Sequence, residues 1–185
     1  MTTLLRKRSR LFLVLGAALA GSLIVAAAAY ALTAPSFKYS SPKTGYLRVS
    51  HMDFIPNVTF AQWSQSHTSG LTTAGNSCFN AGVDLPVRSK VQSVTWYYKS
   101  GATNDFEGSF RMNQLATGVG SPIVGPVFPV EDSGLPTSVT LEVPPTLQRV
   151  TVGRAYWVEA CPGNNGDGSA FFGARIKYTY TSAGS

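Results

Sequence analysis

Asp105-Phe106-Glu107-Gly108-Ser109-Phe110-Arg111-Met112 is the stretch on which the fold turns. In an extended chain Phe106, Phe110 and Met112 fall on one side, and Asp105, Glu107, Ser109 and Arg111 on the other. Successive strand residues point to opposite faces, so this alternation marks a strand with one buried and one wet side. A sheet that tolerates water on one face is the antiparallel kind, since parallel sheets are covered on both.

The pattern returns on either side of this stretch. In Ser138–Val143, Val139, Leu141 and Val143 alternate with Thr140 and Glu142. In Ala170–Thr181, Phe172, Ala174, Ile176, Tyr178 and Tyr180 are expected on one face, with Arg175 and Lys177 on the other. Ala155–Cys161 is expected to pair with that final strand across the turn Cys161–Ser169. Upstream, Cys78–Leu85 and Val91–Tyr98 read as strands separated by a turn at Pro86. Tyr46–Ile55 reads as the first strand, and a short strand is expected around Phe60–Trp63 within a turn-rich segment. Pro122–Val130, interrupted by Gly125 and further prolines, fits only an edge strand or a loop.

Composition agrees. Only 13% of residues are charged, while the chain holds 18 Gly, 11 Pro and 11% aromatics. Such a mix favours short strands and turns over helices. No helical spacing of apolar residues, internal repeat or low-complexity tract follows Ala34. About eight to nine strands with no helix to cover a sheet imply an all-β, antiparallel β-sandwich of jelly-roll type.

The beginning of the chain has another character. Arg6-Lys7-Arg8-Ser9-Arg10 is followed by an uncharged apolar run from Leu11 to Ala34. A basic region, an apolar core and the small-residue exit Ala29-Tyr30-Ala31 form an export signal. The run is also long enough to span a bilayer as an uncleaved anchor with its basic end inside. The expected organisation is therefore 1–31 signal or anchor, 32–45 polar lead-in, and 46–185 one sandwich domain. This places the domain outside the cytoplasm, secreted or held at the cell envelope.

Removing that segment changes the charge. The whole chain carries 15 basic and 9 acidic residues, a balance of +6, but four basic residues precede the apolar run. Eleven against nine remain, or +2, which excludes the clustered basic face of a nucleic-acid binder. About 150 residues are enough for a single core.

Cys78 and Cys161 are the only cysteines, and an even pair in an exported chain reads as one disulfide. The sharper alternative is a nucleophilic Cys78 served by His51 or His67, but two unplaced histidines do not define a dyad. Other chemical signatures are thin. Ser40-Ser41-Pro42-Lys43 and Lys43-Thr44-Gly45 match fragments of penicillin-recognising motifs, yet they overlap where those motifs stand far apart. Asp105 and Glu107 share a face with Arg111 and read as a solvated, ion-paired strand surface rather than a glycosidase pair. His51 and Asp53 share an expected strand face without a third metal ligand. Asn164, Asn165 and Asp167 offer oxygen for calcium, but with one carboxylate and no EF-hand spacing this Asn-Gly-rich loop reads first as a turn. The expectation is a protein without catalytic residues, metal or other cofactor.

Aromatic residues are the remaining resource. On Val91–Tyr98, Tyr97 falls opposite Trp96 and Tyr98; on Ala155–Cys161, Trp157 falls opposite Tyr156 and Val158. Tyr97 and Trp157 are thus the candidates for rings that stack on a ligand, with edge or subunit packing as the alternative.

Leu85-Pro86, Val91–Lys99, Phe110-Arg111-Met112 and the closing Gly173–Tyr180 together resemble a loose group of exported bacterial β-sandwich proteins. Arg88-Ser89 stands where that group carries a glycine, and the cysteine pair is not part of its pattern. The group has no assigned activity, so the resemblance implies export and a sandwich and supplies no site residue. The leading expectation is a secreted non-enzymatic structural or interaction protein, with an aromatic sheet face as the candidate surface for a homo-oligomer. A carbohydrate-binding module using surface aromatics is the alternative, and a divergent hydrolase the third. The expected partner is another extracellular protein or a polysaccharide, with no nucleic acid and no membrane contact beyond the N-terminal segment.

Overall fold

The structure is a computed structural model describing residues 37–57, 62–74, 77–101, 106–127, 135–163 and 168–183. The signal, Asp105 and the calcium candidates Asn164, Asn165 and Asp167 lie outside the described residues. Among the described residues eleven strands follow one another: β1 Phe37–Ser50, β2 Ile55–Pro56, β3 Trp63–Ser66, β4 Gly70–Thr73, β5 Phe79–Val83 and β6 Lys90–Lys99, then β7 Glu107–Gln114, β8 Gly120–Val127, β9 Pro136–Glu142, β10 Arg154–Cys161 and β11 Ala170–Ala183.

They form two packed antiparallel sheets, so the sandwich read from the sequence is the observed architecture. One sheet runs β3-β4-β11-β6-β9, with β1 also paired to β11; the other runs β2-β5-β10-β7-β8. The chain crosses between sheets after β1, β2, β4, β5, β6, β8, β9 and β10. The alternation that began the sequence reading is observed at Phe106 and Phe110, which are fully buried, and at Glu107 and Arg111, which are partly exposed, whereas Ser109 on their side is covered.

Aromatic rings fill the space between the sheets. Tyr98 stacks on Phe106 at 4.4 Å, Phe106 on Phe171 at 5.8 Å, and Phe54 meets Phe171 edge-on at 4.8 Å. Trp96 is wholly buried against Gly108 of the opposite sheet, where a Cβ would approach its Nε1 to 2.9 Å. Only a residue without a side chain lets the indole lie so close.

Several expectations need correction. β10 and β11 do not pair: β10 lies between β5 and β7, and β11 lies beside β6 in the other sheet. The Cys161–Ser169 connection therefore carries the chain from one sheet to the other. The faces of β11 also slip. Phe171, not Phe172, points inward with Ala174 and Ile176, because Phe172 is an extra residue between the pairs Phe171↔Tyr98 and Gly173↔Tyr97. Gly173 allows it with φ 140°, and a Cβ there would stand 2.6 Å from the Val49 carbonyl oxygen. A second irregularity, between Lys177 and Tyr178, brings Val91 inward with Val94.

The polar lead-in proves to be strand from Phe37 onward. The first strand ends at Ser50, where a 3-10 turn, His51–Asp53, is capped reciprocally: Met52 N–H donates to Ser50 Oγ, and Ser50 N–H to Asp53 Oδ2. The hairpin β3–β4 replaces the single short strand expected there.

Cys78 and Cys161 are bonded, as the even count implied. They extend the β5–β10 ladder by one position beyond Phe79↔Ala160, with Cα atoms 4.1 Å apart. That is the close spacing of a non-hydrogen-bonded antiparallel pair.

Candidate functional site

The outer face of the five-stranded sheet is built by β5, β10, β7 and β8. Residues facing the core leave Asn80 and Gly82, Trp157 and Glu159, and Ser109, Arg111 and Asn113 on the outer side. The register sets them in rows. Asn80, Glu159 and Ser109 are level, and in the next row Gly82, Trp157, Arg111 and Pro122 are level.

Trp157 is half-buried. Its Cη2 atom would lie 3.4 Å from a Cβ on Gly120, which belongs to β8, two strands away. Strands in a sheet are about 4.8 Å apart, so the indole lies down across β7 instead of standing off the surface. A Cβ at Gly120 would meet the ring at ordinary contact distance, so the indole tip lies against β8. On the other side of Trp157, Gly82 has nothing within 4 Å of the place a Cβ would occupy. The ring is therefore a flat apolar step bordered by open space. Asn113, next to Gly120 in the ladder, has its Oδ1 buried without a hydrogen-bond partner.

Alongside the ring runs a polar row. Arg111 Nη1 donates to Glu159 Oε1 at 2.8 Å, and Ser109 Oγ donates to the same oxygen at 3.0 Å. With its amide nitrogen toward the carboxylate, Asn80 donates to Glu159 Oε2 at 3.3 Å. Glu159 is thus oriented from three sides; the second Asn80 amide hydrogen goes to the Phe79 carbonyl at 3.2 Å, and the remaining guanidinium hydrogens keep donor capacity. An indole face with fixed donors and acceptors beside it suits a ligand with apolar C–H faces and hydroxyl edges.

The other residues singled out in the sequence fall elsewhere. Tyr97 lies on the outer face of the opposite sheet, at the level of Gly173 and Ser138. Tyr97 and Trp157 therefore share neither face nor groove. His51 sits at the 3-10 turn with Nδ1 3.2 Å from the Phe172 carbonyl and Nε2 3.1 Å from the Ser66 carbonyl. A neutral imidazole donates to one of these carbonyls, and Asp53 serves as a cap. His67 is exposed on the β3–β4 turn. No group of three His, Cys, Asp or Glu suited to a metal occurs among the described residues.

Sequence reasoning placed Arg111 on a wet, ion-paired face but not its partner, because Glu159 lies 48 positions away. It passed over Gly82 and Gly120 altogether. Gly82 leaves open ground beside the ring and Gly120 meets its tip, and only the register reveals that.

No protein-family model matches the sequence, and no curated protein matches it. Similar solved structures include the C-terminal CBM6 of the laminarinase LamC from the marine Zobellia galactanivorans, at 16% identity over 75% of this chain and 100% of that one, with TM-score 0.39. A structure of infectious bursal disease virus (Gx strain) is similar at 8% identity over 77% of this chain and 33% of the viral one, with TM-score 0.36. TmCBM61 in complex with β-1,4-galactotriose is similar at 10% identity over 81% and 97% of the two chains, with TM-score 0.29. The likeness is loose in every case and does not reach individual residues.

Proposed function

We propose that this is a non-catalytic, exported carbohydrate-binding domain that holds a neutral saccharide on the outer face of the five-stranded sheet. The observation that carries the reading is the indole of Trp157, laid across β7 toward Gly120 beside the row Asn80, Glu159, Ser109 and Arg111. A pyranose ring would rest its C–H face on the indole over the open ground at Gly82. Its hydroxyls would exchange hydrogen bonds with Glu159, Asn80 and Arg111. Because Arg111 and Glu159 neutralise each other, this face favours an uncharged sugar.

Calorimetric titration of the disulfide-bonded protein with neutral hexasaccharides of β-linked glucose, mannose and galactose tests this. Saturable binding of at least one is expected. Absence of binding throughout at millimolar concentrations returns the domain to a structural or protein-interaction role.

One observation favours that second role. Leu115, Val119 and Val152 are 65%, 68% and 82% exposed, and their turns are joined by Leu115 N–H donating to Gly153 O at 2.9 Å. Three aliphatic side chains so exposed at one end of the sandwich suit a protein contact. Self-association measured by sedimentation, lost on Val152→Ser, would support it.

A further inference from the structure

The opposite face of the sandwich carries a second surface with a different charge. Arg48, Asp53, Tyr97, Phe172 and Arg175 line a depression of about 460 Å³ on the outer side of the six-stranded sheet. Phe172, turned outward by the bulge at Gly173, also lines an adjoining hollow of about 520 Å³ with Lys99, Thr68, Ser69 and Thr72. The two hollows share Phe172 in their lining, with Arg48, Tyr97 and Arg175 in one part of this groove and Lys99 in the other.

Arg175 is held in an unusual way. Its guanidinium carbon stands 5.6 Å from the Tyr46 ring centroid and 5.9 Å from that of Tyr97. Flanked by two π faces, it is positioned without a carboxylate. Neither Arg48 nor Arg175 forms an ion pair among the described residues. Asp53, the carboxylate lining this depression, already accepts from Ser50 N–H at 2.9 Å. Glu142 also faces outward on this sheet, but at the level of Ser93.

We propose that this groove is a second saccharide site and takes an acidic polysaccharide. A uronate carboxylate pairs with Arg175 while the face of its pyranose stacks on Tyr97 or Phe172. Arg48 and Lys99 draw the carboxylates of neighbouring units. A guanidinium offers a planar fork that matches a carboxylate through two parallel hydrogen bonds. One already fixed between rings loses little further freedom on binding. The contrast with the other face is internal to the molecule: Arg111 there is already paired with Glu159, whereas Arg175 is paired only with rings.

The test is titration calorimetry of the full-length, disulfide-bonded chain in detergent, at fixed ionic strength, with hexagalacturonate, cellohexaose and a heparin hexasaccharide. Hexagalacturonate should bind, Arg175→Ala should weaken it roughly ten- to a hundredfold, the loss of a hydrogen bond to a charged group, and Tyr97→Ala should weaken it by removing the stacking face and one of the two rings that flank the guanidinium. Arg175→Lys should weaken it nearly as much, because an ammonium keeps the charge and loses the fork. Arg149→Ala, the same charge change outside the groove, should leave it intact, and melting curves establish that each variant is folded. Failure of hexagalacturonate to bind overturns the proposal. So does binding that heparin matches and Arg175→Lys leaves undiminished, which is bulk electrostatics. Cellohexaose reports separately on the neutral-sugar face, so either site can fail without the other.

Discussion

Alanine at Gly108 and alanine at Gly82 are the same covalent change in the same sheet, yet they should move stability in opposite directions. At Gly108 the new Cβ would stand 2.9 Å from Nε1, 3.0 Å from Cδ1 and 3.1 Å from Cδ2 of Trp96. Comfortable separations between such atoms are about 3.5–4.0 Å. Trp96 is wholly buried, so it cannot swing aside without disturbing the core. Overpacking of this kind costs about 1–3 kcal/mol. The strand gains back about 0.5–1 kcal/mol by losing a glycine. Three atoms of a wholly buried ring this close put the cost in the upper half of that range, so the net loss is about 1–2.5 kcal/mol, or a fall of roughly 3–8 °C in melting temperature for a domain of about 150 residues. At Gly82 nothing lies within 4 Å of the added atom. Only the backbone gain remains there, a rise of roughly 1–3 °C. Differential scanning calorimetry of the two variants reads both signs. Equal stability of Gly108→Ala and the parent, or a Gly82→Ala that falls with Gly108→Ala, would refute the assignment of inner and outer faces.

Two further outcomes follow from the same geometry. Cys78 and Cys161 close a loop with a sequence separation of 83 residues. In the chain-entropy treatment reducing their bond costs about 4–5 kcal/mol, roughly 10–15 °C in melting temperature with and without reductant; a shift below about 3 °C would contradict this. Glu159→Gln keeps the shape of the polar row but removes the ion pair with Arg111. Because that pair is partly solvated, stability should fall by less than about 1 kcal/mol, whereas affinity for a neutral saccharide should fall about tenfold through weaker, uncharged hydrogen bonds. Calorimetry of unfolding and of binding on the one variant separates the two effects.

How much of this was legible depends on the kind of information each feature needs. The faces of Phe106–Met112 and Ser138–Val143 were readable because alternation is local and survives without knowledge of partners. Phe171 and Phe172 were not. A single extra residue at a bulge reverses every later side, and Gly173 in the sequence does not say whether it serves a turn, a bulge or a close approach. The strand from Phe37 was hidden by Pro42 and the polar residues around it. It pairs only with β11, and an edge position tolerates a proline that a central strand would not. The connection from Cys161 to Ser169 looks like a hairpin by composition and crosses between sheets in fact, since turn chemistry does not record which sheet comes next.

At the site the division is similar. Trp157 was singled out because its parity set it apart from Tyr156 and Val158, and Tyr97 by the same reasoning. That they occupy opposite sheets follows from β6 and β10 lying in different sheets, a long-range fact. Asn80, Gly82, Gly120 and Glu159 enter only through the register, as does the slip that turns Phe172 outward into the second groove.

The most direct test of the central claim is fluorescence and calorimetric titration of Trp157→Ala beside the parent, using the neutral saccharide that binds the parent best. The account predicts a saturable response in the parent and at least a tenfold loss in a variant that melts as a folded domain, about the 1.4 kcal/mol that a decade of affinity represents. Undiminished affinity in Trp157→Ala would contradict it and move saccharide recognition away from this face.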